Sequence, residues 1–458
     1  VSCVYEGCQI PIDSGLRIEA KYFVELLTGQ VAGNMIRSLF INKQSADKLR
    51  ARPKGVEKSK VTTLGMLGAG MMGSGIALVS ARAGMNVVLL DSTEEQAAKG
   101  KQYTEKFLEK RVARKKMSSD DATAMLDRIK VTTDYNDLES CELIIEAVFE
   151  DREIKAGVTQ ATEAVIAESA IFASNTSTLP ISGLAEASKR PKSFIGLHFF
   201  SPVERMPLVE VILGKETSDE ALARALDYVQ QIKKTPIVVN DSRGFFTSRV
   251  FSMACNEANT MLTEGVSPAL IENAARHAGY PVGPLAVQDE TSIELGYKIH
   301  LQTMEDMGDA YKPASGWEVS AKLVELERLG KKYGKGFYDY PEGAKKRLWP
   351  GLADLFPVSD QQPDVEEVKS RLMTIQALDA YRCLEEHVLM SPDDGDIGSI
   401  LGWGFPPWSG GVFSYIDTVG IEKFVERCDD YSQRLGERFT VPDSLREKAN
   451  KKESFYSD

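Results

Sequence analysis

The sequence predicts a helix-covered, largely parallel α/β domain followed by an all-α domain, with linker helices ahead of both. Two observations carry that prediction. Short apolar runs alternate with amphipathic helical stretches between residues 61 and 240, and from residue 245 strand patterns give way to helical ones. A third observation, an internal repeat, divides the helical part in two.

Residues 16–50, "LRIEAKYFVELLTGQVAGNMIRSLFINKQSADKLR", have helical spacing with charges on one side, and "RARPKGVEKSK" (50–60) is a basic linker. Residues 1–60 are therefore expected to form a helical linker segment. Strands are expected at 61–67, 86–91, 141–148, 170–174, 194–200, 208–213 and 235–240, which sets the α/β domain at 61–242. The repeat begins at Ser248 and again at Ser370. Each copy opens with Ser-Arg and a long helix rich in Ala, Glu and Met or Leu, and each second helix ends in a glycine–aromatic–proline turn, Gly279–Pro281 and Gly404–Pro406. This gives a first helical unit over 243–345, closed by "LGKKYGKGFYDYPEG" (329–343), and a second over 346–458.

The 458 residues suffice for about three domains. With 43% hydrophobic and 27% charged residues the chain reads as globular rather than disordered. A net charge of -12 argues against general binding to nucleic acid or anionic membranes, and no apolar run is long enough to span a bilayer. The six cysteines are scattered, with no C-x-x-C pair, as expected of reduced thiols in a cytoplasmic setting. Val1 in place of methionine suggests a chain excised from something longer.

Gly68, Gly70 and Gly73 form G-x-G-x-x-G in "LGAGMMGSGIALVSARAG", directly after a strand and opening a helix. In that context the motif marks a dinucleotide site of Rossmann type. The first glycine permits the turn, the second admits a pyrophosphate, the third lets helix and strand pack, and the helix N-terminus meets the phosphates. Met71 and Met72, inside the motif, are expected cofactor contacts. Asp91 ends the next strand, where a carboxylate accepts from ribose hydroxyls. No arginine follows it in "DSTEE", so the expected cofactor is NAD rather than its phosphorylated form. No metal is expected.

His198 and Glu210, in "GLHFFSPVERMPLVEVI", stand in neighbouring apolar runs joined by the turn "SPVERMP". Hydride transfer from an alcohol requires a base for the hydroxyl proton. A histidine titrates in the right range, and a buried carboxylate beside it would fix its tautomer. A core histidine and a water-exposed strand-edge glutamate are the plain alternatives. The two phenylalanines that follow His198 are expected to pack against the imidazole. Ser177, in "ASNTSTLPIS", lies just after another strand, where its hydroxyl could bond a substrate oxygen or merely cap a loop.

"GAGMMGSGIA", "IIEAVFEDREIK", "SNTSTLPIS", "GLHFFSPVERMPLVEVI" and "KKYGKGFYDY", in this order, resemble L-3-hydroxyacyl-CoA dehydrogenase from about residue 61 to the C-terminus. The doubled helical unit and the preceding "GLRIEAKYFVELL" are similar to multifunctional enzymes of fatty-acid β-oxidation, in which an enoyl-CoA hydratase domain comes first. The resemblance implies a Rossmann domain followed by two tandem C-terminal repeats of that family, and NAD-dependent oxidation of (S)-3-hydroxyacyl-CoA to 3-oxoacyl-CoA. It implies that His198 is the base, Glu210 its partner, and that Ser177 bonds the substrate's 3-oxygen. Glu150, Lys155 and Lys332 match cofactor contacts, although by themselves they read as solvated surface charges. Lys115, in "KRVARKK" (110–116), matches the region that meets the CoA phosphates, or else a solvated helix face. Multifunctional members associate with a thiolase, an expectation for the full-length protein, whereas packing of one repeat on the other predicts a monomer here.

Two positions depart from the family pattern. Ser248, in "GFFTSR", and Ser201, in "HFFSP", stand where asparagine is usual. Serine still donates a hydrogen bond but with shorter reach. The competing expectation is a redox-silent NAD- or acyl-CoA-binding module, disabled at Ser248. A two-domain dehydrogenase of sugar acids would explain the cofactor motif but not the surroundings of His198.

Overall fold

The computed structural model describes residues 1–456. Eight strands form one sheet: β1 (Thr63–Leu67), β2 (Asn86–Leu90), β3 (Ile129–Thr132), β4 (Leu143–Glu146), β5 (Ile171–Ser174), β6 (Phe194–Phe199), β7 (Leu208–Leu213) and β8 (Thr235–Asn240). Their order is β3-β2-β1-β4-β5-β6-β7-β8. All neighbours run parallel except β6 and β7. Strands β4, β5 and β6 are buried along their whole length, as sequences apolar on both faces require.

Seven of the strands lie where the sequence places them. The eighth, β3, was not anticipated. "IKVT" sits on the sheet edge with Lys130 exposed, so it lacks the apolar run that marks a strand buried on both faces. A second departure lies beyond residue 245, where β9 (Tyr338–Asp339) and β10 (Arg347–Leu348) form a short antiparallel pair.

Ahead of the sheet come α1 (Ser2–Gly7), α2 (Ile12–Leu27), α3 (Gln30–Met35) and α4 (Lys43–Asp47), with a π-helical stretch over Ile36–Asn42. The chain leaving α4 straps two regions together. Arg50 pairs with Asp393 at 2.7 Å, and Arg52 pairs with Asp227 at 2.8 Å. Helices α5 (Met71–Arg82), α6 (Glu94–Ala113), α7 (Ser119–Leu126), α8 (Arg152–Glu163), α9 (Ile181–Ala185) and α10 (Asp219–Gln231) cover the sheet. In α10, Ser218 caps the first turn by accepting from the Ala221 amide at 3.2 Å, while Leu222, Leu226 and Val229 enter the core.

Beyond the sheet, α11 (Thr247–Thr263), α12 (Pro268–Ala278), α13 (Pro284–Thr291), α14 (Ile293–Met307) and α15 (Trp317–Glu325) form a first helical unit. After the short α16 (Leu352–Leu355), a second unit contains α17 (Val365–Glu385), α18 (Pro392–Trp403), α19 (Val412–Val419), α20 (Ile421–Leu435) and α21 (Asp443–Asn450).

The two units repeat each other in detail. The arginine after each opening serine reaches an acid on the other unit's long helix: Arg249 meets Asp379 at 3.2 Å, and Arg371 meets Glu257 at 2.7 Å. The glycine–aromatic–proline turns also pack reciprocally. A Cβ on Gly279 would lie 3.2 Å from Pro406, one on Gly404 would lie 2.7 Å from Pro281, and the Tyr280 and Phe405 rings are 5.9 Å apart. In the first unit the buried Glu272 accepts from the Leu285 amide at 2.7 Å and from the Tyr338 hydroxyl at 2.6 Å. In the second, Asp396 accepts from the Phe413 amide at 2.7 Å and from the Tyr456 hydroxyl at 2.9 Å. Asp289 holds the amides of Phe337 and Tyr338, and Asp417 those of Phe455 and Tyr456. Contacts of residue i on j and of j on i are those of a two-fold interface, formed here within one chain.

Candidate active site

The carboxyl ends of β1 and β4 open the crevice in which parallel α/β sheets bind ligands. Gly68 has φ +89, and a Cβ on it would lie 2.7 Å from the Ala147 carbonyl oxygen. A Cβ on Gly73 would lie 1.8 Å from the Gly68 carbonyl oxygen, whereas one on Gly70 would meet nothing within 4 Å. The outer glycines are thus required by packing, and the middle one faces open space at the N-terminus of α5. Asp91 accepts from the Ala69 amide at 2.7 Å and from the Ser92 amide at 2.6 Å, fixing the glycine-rich turn from the end of β2. Met71 is exposed and Met72 half-buried at the helix opening. Ser201 reaches the same place, its Oγ 3.6 Å from the Met71 sulfur. The loop carrying Ser201 packs Val203 against Gly75, and Lys234 holds it by donating to the Val203 carbonyl at 2.6 Å. An open glycine at a helix N-terminus and a carboxylate at the end of β2 suit a dinucleotide without a 2′-phosphate.

His198 and Glu210 are direct partners in the register of the antiparallel pair β6 and β7. Side chains opposite each other share one face of a sheet, and Nδ1 of His198 lies 2.8 Å from Oε2 of Glu210. Glu210 is fully buried and fully engaged. Its Oε1 accepts from the amides of Phe246 and Thr247, both at 3.0 Å, and its Oε2 accepts from the Thr247 hydroxyl at 2.5 Å. Both carboxylate oxygens therefore receive donors from the start of α11, which excludes the exposed strand-edge alternative. With Nδ1 facing the carboxylate, the ring proton belongs on Nδ1 and the Nε2 lone pair is left to accept.

The packing of the imidazole differs from expectation. Phe200 lies 4.6 Å from the ring and Phe245 6.1 Å, between centroids. Phe199 points to the opposite face of the sheet, as alternation along a strand demands, and its amide donates to Asn175 Oδ1 at 2.8 Å. Thr247 and Asn175 are the residues that sequence reasoning missed. For Thr247 the signal is the "GFFTSR" stretch, in which the residue before Ser248 meets the dyad.

Ser177 sits beyond β5 against Glu150, whose Oε1 accepts from the Thr176 hydroxyl at 2.5 Å and from the Ser177 amide at 3.0 Å. Burial pushes the Glu150 carboxyl up, but Lys155 and the donors of residues 176–178 outweigh it and hold the group below the usual range. Lys155 corrects the reading of a solvated surface charge. It is buried, donates to both oxygens of Glu146 at 2.9 Å, and lies 3.4 Å from Glu150. Its three protons face carboxylates, so it acts on the crevice by fixing Glu150 and the loop that presents Ser177.

Residues 63–242 match the model of the 3-hydroxyacyl-CoA dehydrogenase NAD binding domain, and residues 244–340 match that of the C-terminal domain of 3-hydroxyacyl-CoA dehydrogenase. (S)-3-Hydroxybutyryl-CoA dehydrogenase from Ralstonia eutropha is 35% identical, with 100% of its chain and 62% of this one covered, at a TM-score of 0.58. The chain belongs to the 3-hydroxyacyl-CoA dehydrogenase family. Members are NAD-dependent oxidoreductases, and NAD is the cofactor of the sheet domain. The fold is shared with 3-hydroxybutyryl-CoA dehydrogenase from Escherichia coli K12, 24% identical, over 86% of this chain and 99% of that one, at a TM-score of 0.74. That coverage extends past residue 340, into the second helical unit. Among curated relatives, the fatty acid oxidation complex subunit alpha of Shewanella halifaxensis is 37% identical over 462 residues, covering 100% of this chain and 64% of its own length. The chain thus spans less than two thirds of such relatives.

The other residues suggested by resemblance to 3-hydroxyacyl-CoA dehydrogenase are not all gathered at the dyad. Ser248 is: it follows Thr247 on the first turn of α11, half-exposed, its hydroxyl making no hydrogen bond among the described residues. Lys332 stands exposed on a turn of the first helical unit, 5.6 Å over the Tyr333 ring. Lys115 lies just past the end of α6, exposed, with φ +54. Neither lysine forms an ion pair among the described residues. No helix of the described residues is long and apolar enough to cross a membrane.

Proposed function

We propose that this chain oxidises (S)-3-hydroxyacyl-CoA thioesters to 3-oxoacyl-CoA, as a step of fatty-acid β-oxidation. The observation that carries the reading is the 2.8 Å contact between His198 and a fully buried, fully bonded Glu210. Bound NAD would accept the hydride from C3. His198 takes the 3-hydroxyl proton on Nε2, and Glu210 stabilises the imidazolium that results. Glu210 is itself held in place by the amides and hydroxyl at the start of α11. Ser177 would donate to the 3-oxygen, Ser248 would help to position the substrate, and Lys115 would meet the CoA phosphates. Glu150 and Ser201 border the cofactor, and Lys332 would reach it across the cleft. The substrate would lie between the carboxyl edge of the sheet and α11.

The domain limits follow the same reading: linker 1–60, sheet domain 61–242, helical units 243–345 and 346–458. Because the second unit occupies the two-fold face of the first, this chain is expected to be monomeric. The longer protein is expected to meet a thiolase in a cytoplasmic compartment. The test is to mix the chain with NADH and acetoacetyl-CoA and follow NADH absorbance. Turnover that His198→Ala abolishes supports the reading. Tight NADH binding with no turnover by the unaltered chain would instead make it a redox-silent binding module.

A further inference from the structure

Ser177 stands on the loop between the end of β5 and α9, and two segments distant in sequence hold that loop. The first is the start of α8. Glu150 accepts from the Ser177 amide at 3.0 Å and from the Thr178 amide at 3.3 Å, and the Ser177 hydroxyl lies 3.4 Å from the same oxygen. The Arg152 guanidinium lies against α9, where a Cβ on Gly183 would sit 3.0 Å from its Nη1. The second segment is the junction between the sheet and α11. There Asp241 accepts from the Ile181 and Ser182 amides at 2.8 and 2.7 Å, and the Gly244 amide donates to the Thr178 carbonyl at 3.2 Å. Thr178 is thus gripped by Glu150 at its N–H and by Gly244 at its carbonyl.

Both segments are fastened by one carboxylate of the first helical unit. Asp306, on the last turn of α14, accepts through Oδ2 from Arg152 at 3.1 Å and also from Arg243. Its Oδ1 accepts from Gln302, one turn back on the same helix, at 3.0 Å. Burial pushes the carboxyl up, but the donors of Arg243, Gln302 and Arg152 outweigh it and hold the group below its usual range. Among the described residues, Arg152 and Asp306 form the one ion pair that joins the sheet domain to the first helical unit. A single pair with a partly exposed arginine adds little to stability. Its place matters more than its strength, because each arginine belongs to a segment that grips the Ser177 loop.

We infer that Asp306 is a positioning residue for Ser177: from the helical unit it fixes Arg152 and Arg243, and through them the loop that presents the Ser177 hydroxyl. The inference rests on the function proposed above, in which that hydroxyl donates to the 3-oxygen of the substrate. Asp306 acts on the reaction only through the loop. Its effect on turnover must therefore disappear when the Ser177 hydroxyl is removed, a requirement that a carboxylate serving stability alone does not meet.

The experiment is a double-mutant cycle on kcat/KM for acetoacetyl-CoA with NADH, using the unaltered chain, Asp306→Ala, Ser177→Ala and the two changes together. Rates are referred to the folded fraction, read from thermal unfolding of each protein. Asp306→Ala is expected to lose about fivefold or more while Ser177 is present, as residues coupled in one hydrogen-bond network do, and less than about twofold once Ser177 is alanine. Arg152→Met, which removes one of the two arginine contacts, should show the same dependence on Ser177. Equal losses with and without Ser177, or no loss in Asp306→Ala, would overturn the inference. Full activity of Ser177→Ala would overturn it as well. If the unaltered chain does not turn over acetoacetyl-CoA, the proposed function fails and this inference with it, a result distinct from an additive cycle in an active chain.

Discussion

Thr247 donates its hydroxyl to Oε2 of Glu210 at 2.5 Å, from the first turn of a helix that belongs to the other domain. The same oxygen faces His198, and the Thr247 hydroxyl lies 3.4 Å from the imidazole Nδ1. The imidazole is therefore oriented from two domains at once. A change in how α11 meets the sheet would be felt at His198 without touching it.

Thr247→Val keeps the shape and removes the donor. Loss of a hydrogen bond to a buried carboxylate costs about 1–3 kcal/mol. If about 1.4 kcal/mol of that is lost in the transition state alone, kcat falls about tenfold. Thr247→Ser is expected to restore most of the rate. Steady-state kinetics of the pair, with NADH affinity measured alongside, decide it: equal rates in all three proteins would remove Thr247 from the positioning of the dyad.

Removal of the imidazole itself, the proposed base, is expected to be more severe. His198→Ala should lower kcat by about a hundred- to ten-thousand-fold, the range over which general bases contribute, with NADH binding unchanged. Glu210→Gln should fall between His198→Ala and the unaltered chain. An amide can meet either the Thr247 hydroxyl or the backbone donors as acceptor, but it cannot stabilise an imidazolium by charge.

The buried trio of Glu146, Lys155 and Glu150 gives a stability prediction. Lys155→Met leaves Glu146 buried without its cation. Breaking such a pair on one side typically costs about 3–5 kcal/mol. Thermal unfolding should show a clear fall in Tm for Lys155→Met and a smaller one for the double change with Glu146→Leu, which removes the stranded charge. Equal losses would mean that the pair contributes nothing beyond packing volume.

The dyad was legible because apolar runs rarely carry a histidine and a glutamate at positions that a hairpin brings opposite each other. The glycine-rich turn was legible from its place between strand and helix, and the duplicated units from their matched turns. Lys155 was not, because "REIK" at a helix start has the texture of a solvated face, and only the end of β4 brings Glu146 beneath it. Thr247 was hidden by its neighbour: the family's asparagine position made Ser248 the candidate, while the helix entry points Thr247 at the dyad. The paired acids Asp289 and Asp417 were hidden by distance. Each clamps the amides of a Phe-Tyr pair tens of residues further on, and no local pattern records such a contact.

Asp396 gives the last prediction. It is fully buried in the second unit, and burial pushes its carboxyl up to about 7, against the hydrogen bonds from Ser414, Tyr456 and the Phe413 amide, which act in the opposite direction. An acid whose folded value lies above its unfolded value binds a proton more tightly when folded. Its contribution to stability is then fully present below the ordinary carboxylate range and is lost as pH rises toward about 7. Unfolding followed between pH 5 and 8 should show stability declining with pH more steeply in the unaltered chain than in Asp396→Asn, which carries no titrating group there. Glu272, its counterpart in the first unit, serves as the control site, with Glu272→Gln measured across the same range. Parallel pH profiles for the unaltered chain and Asp396→Asn would show that the carboxyl is already ionised throughout. The Tyr456 and Ser414 donors would then outweigh burial at that site.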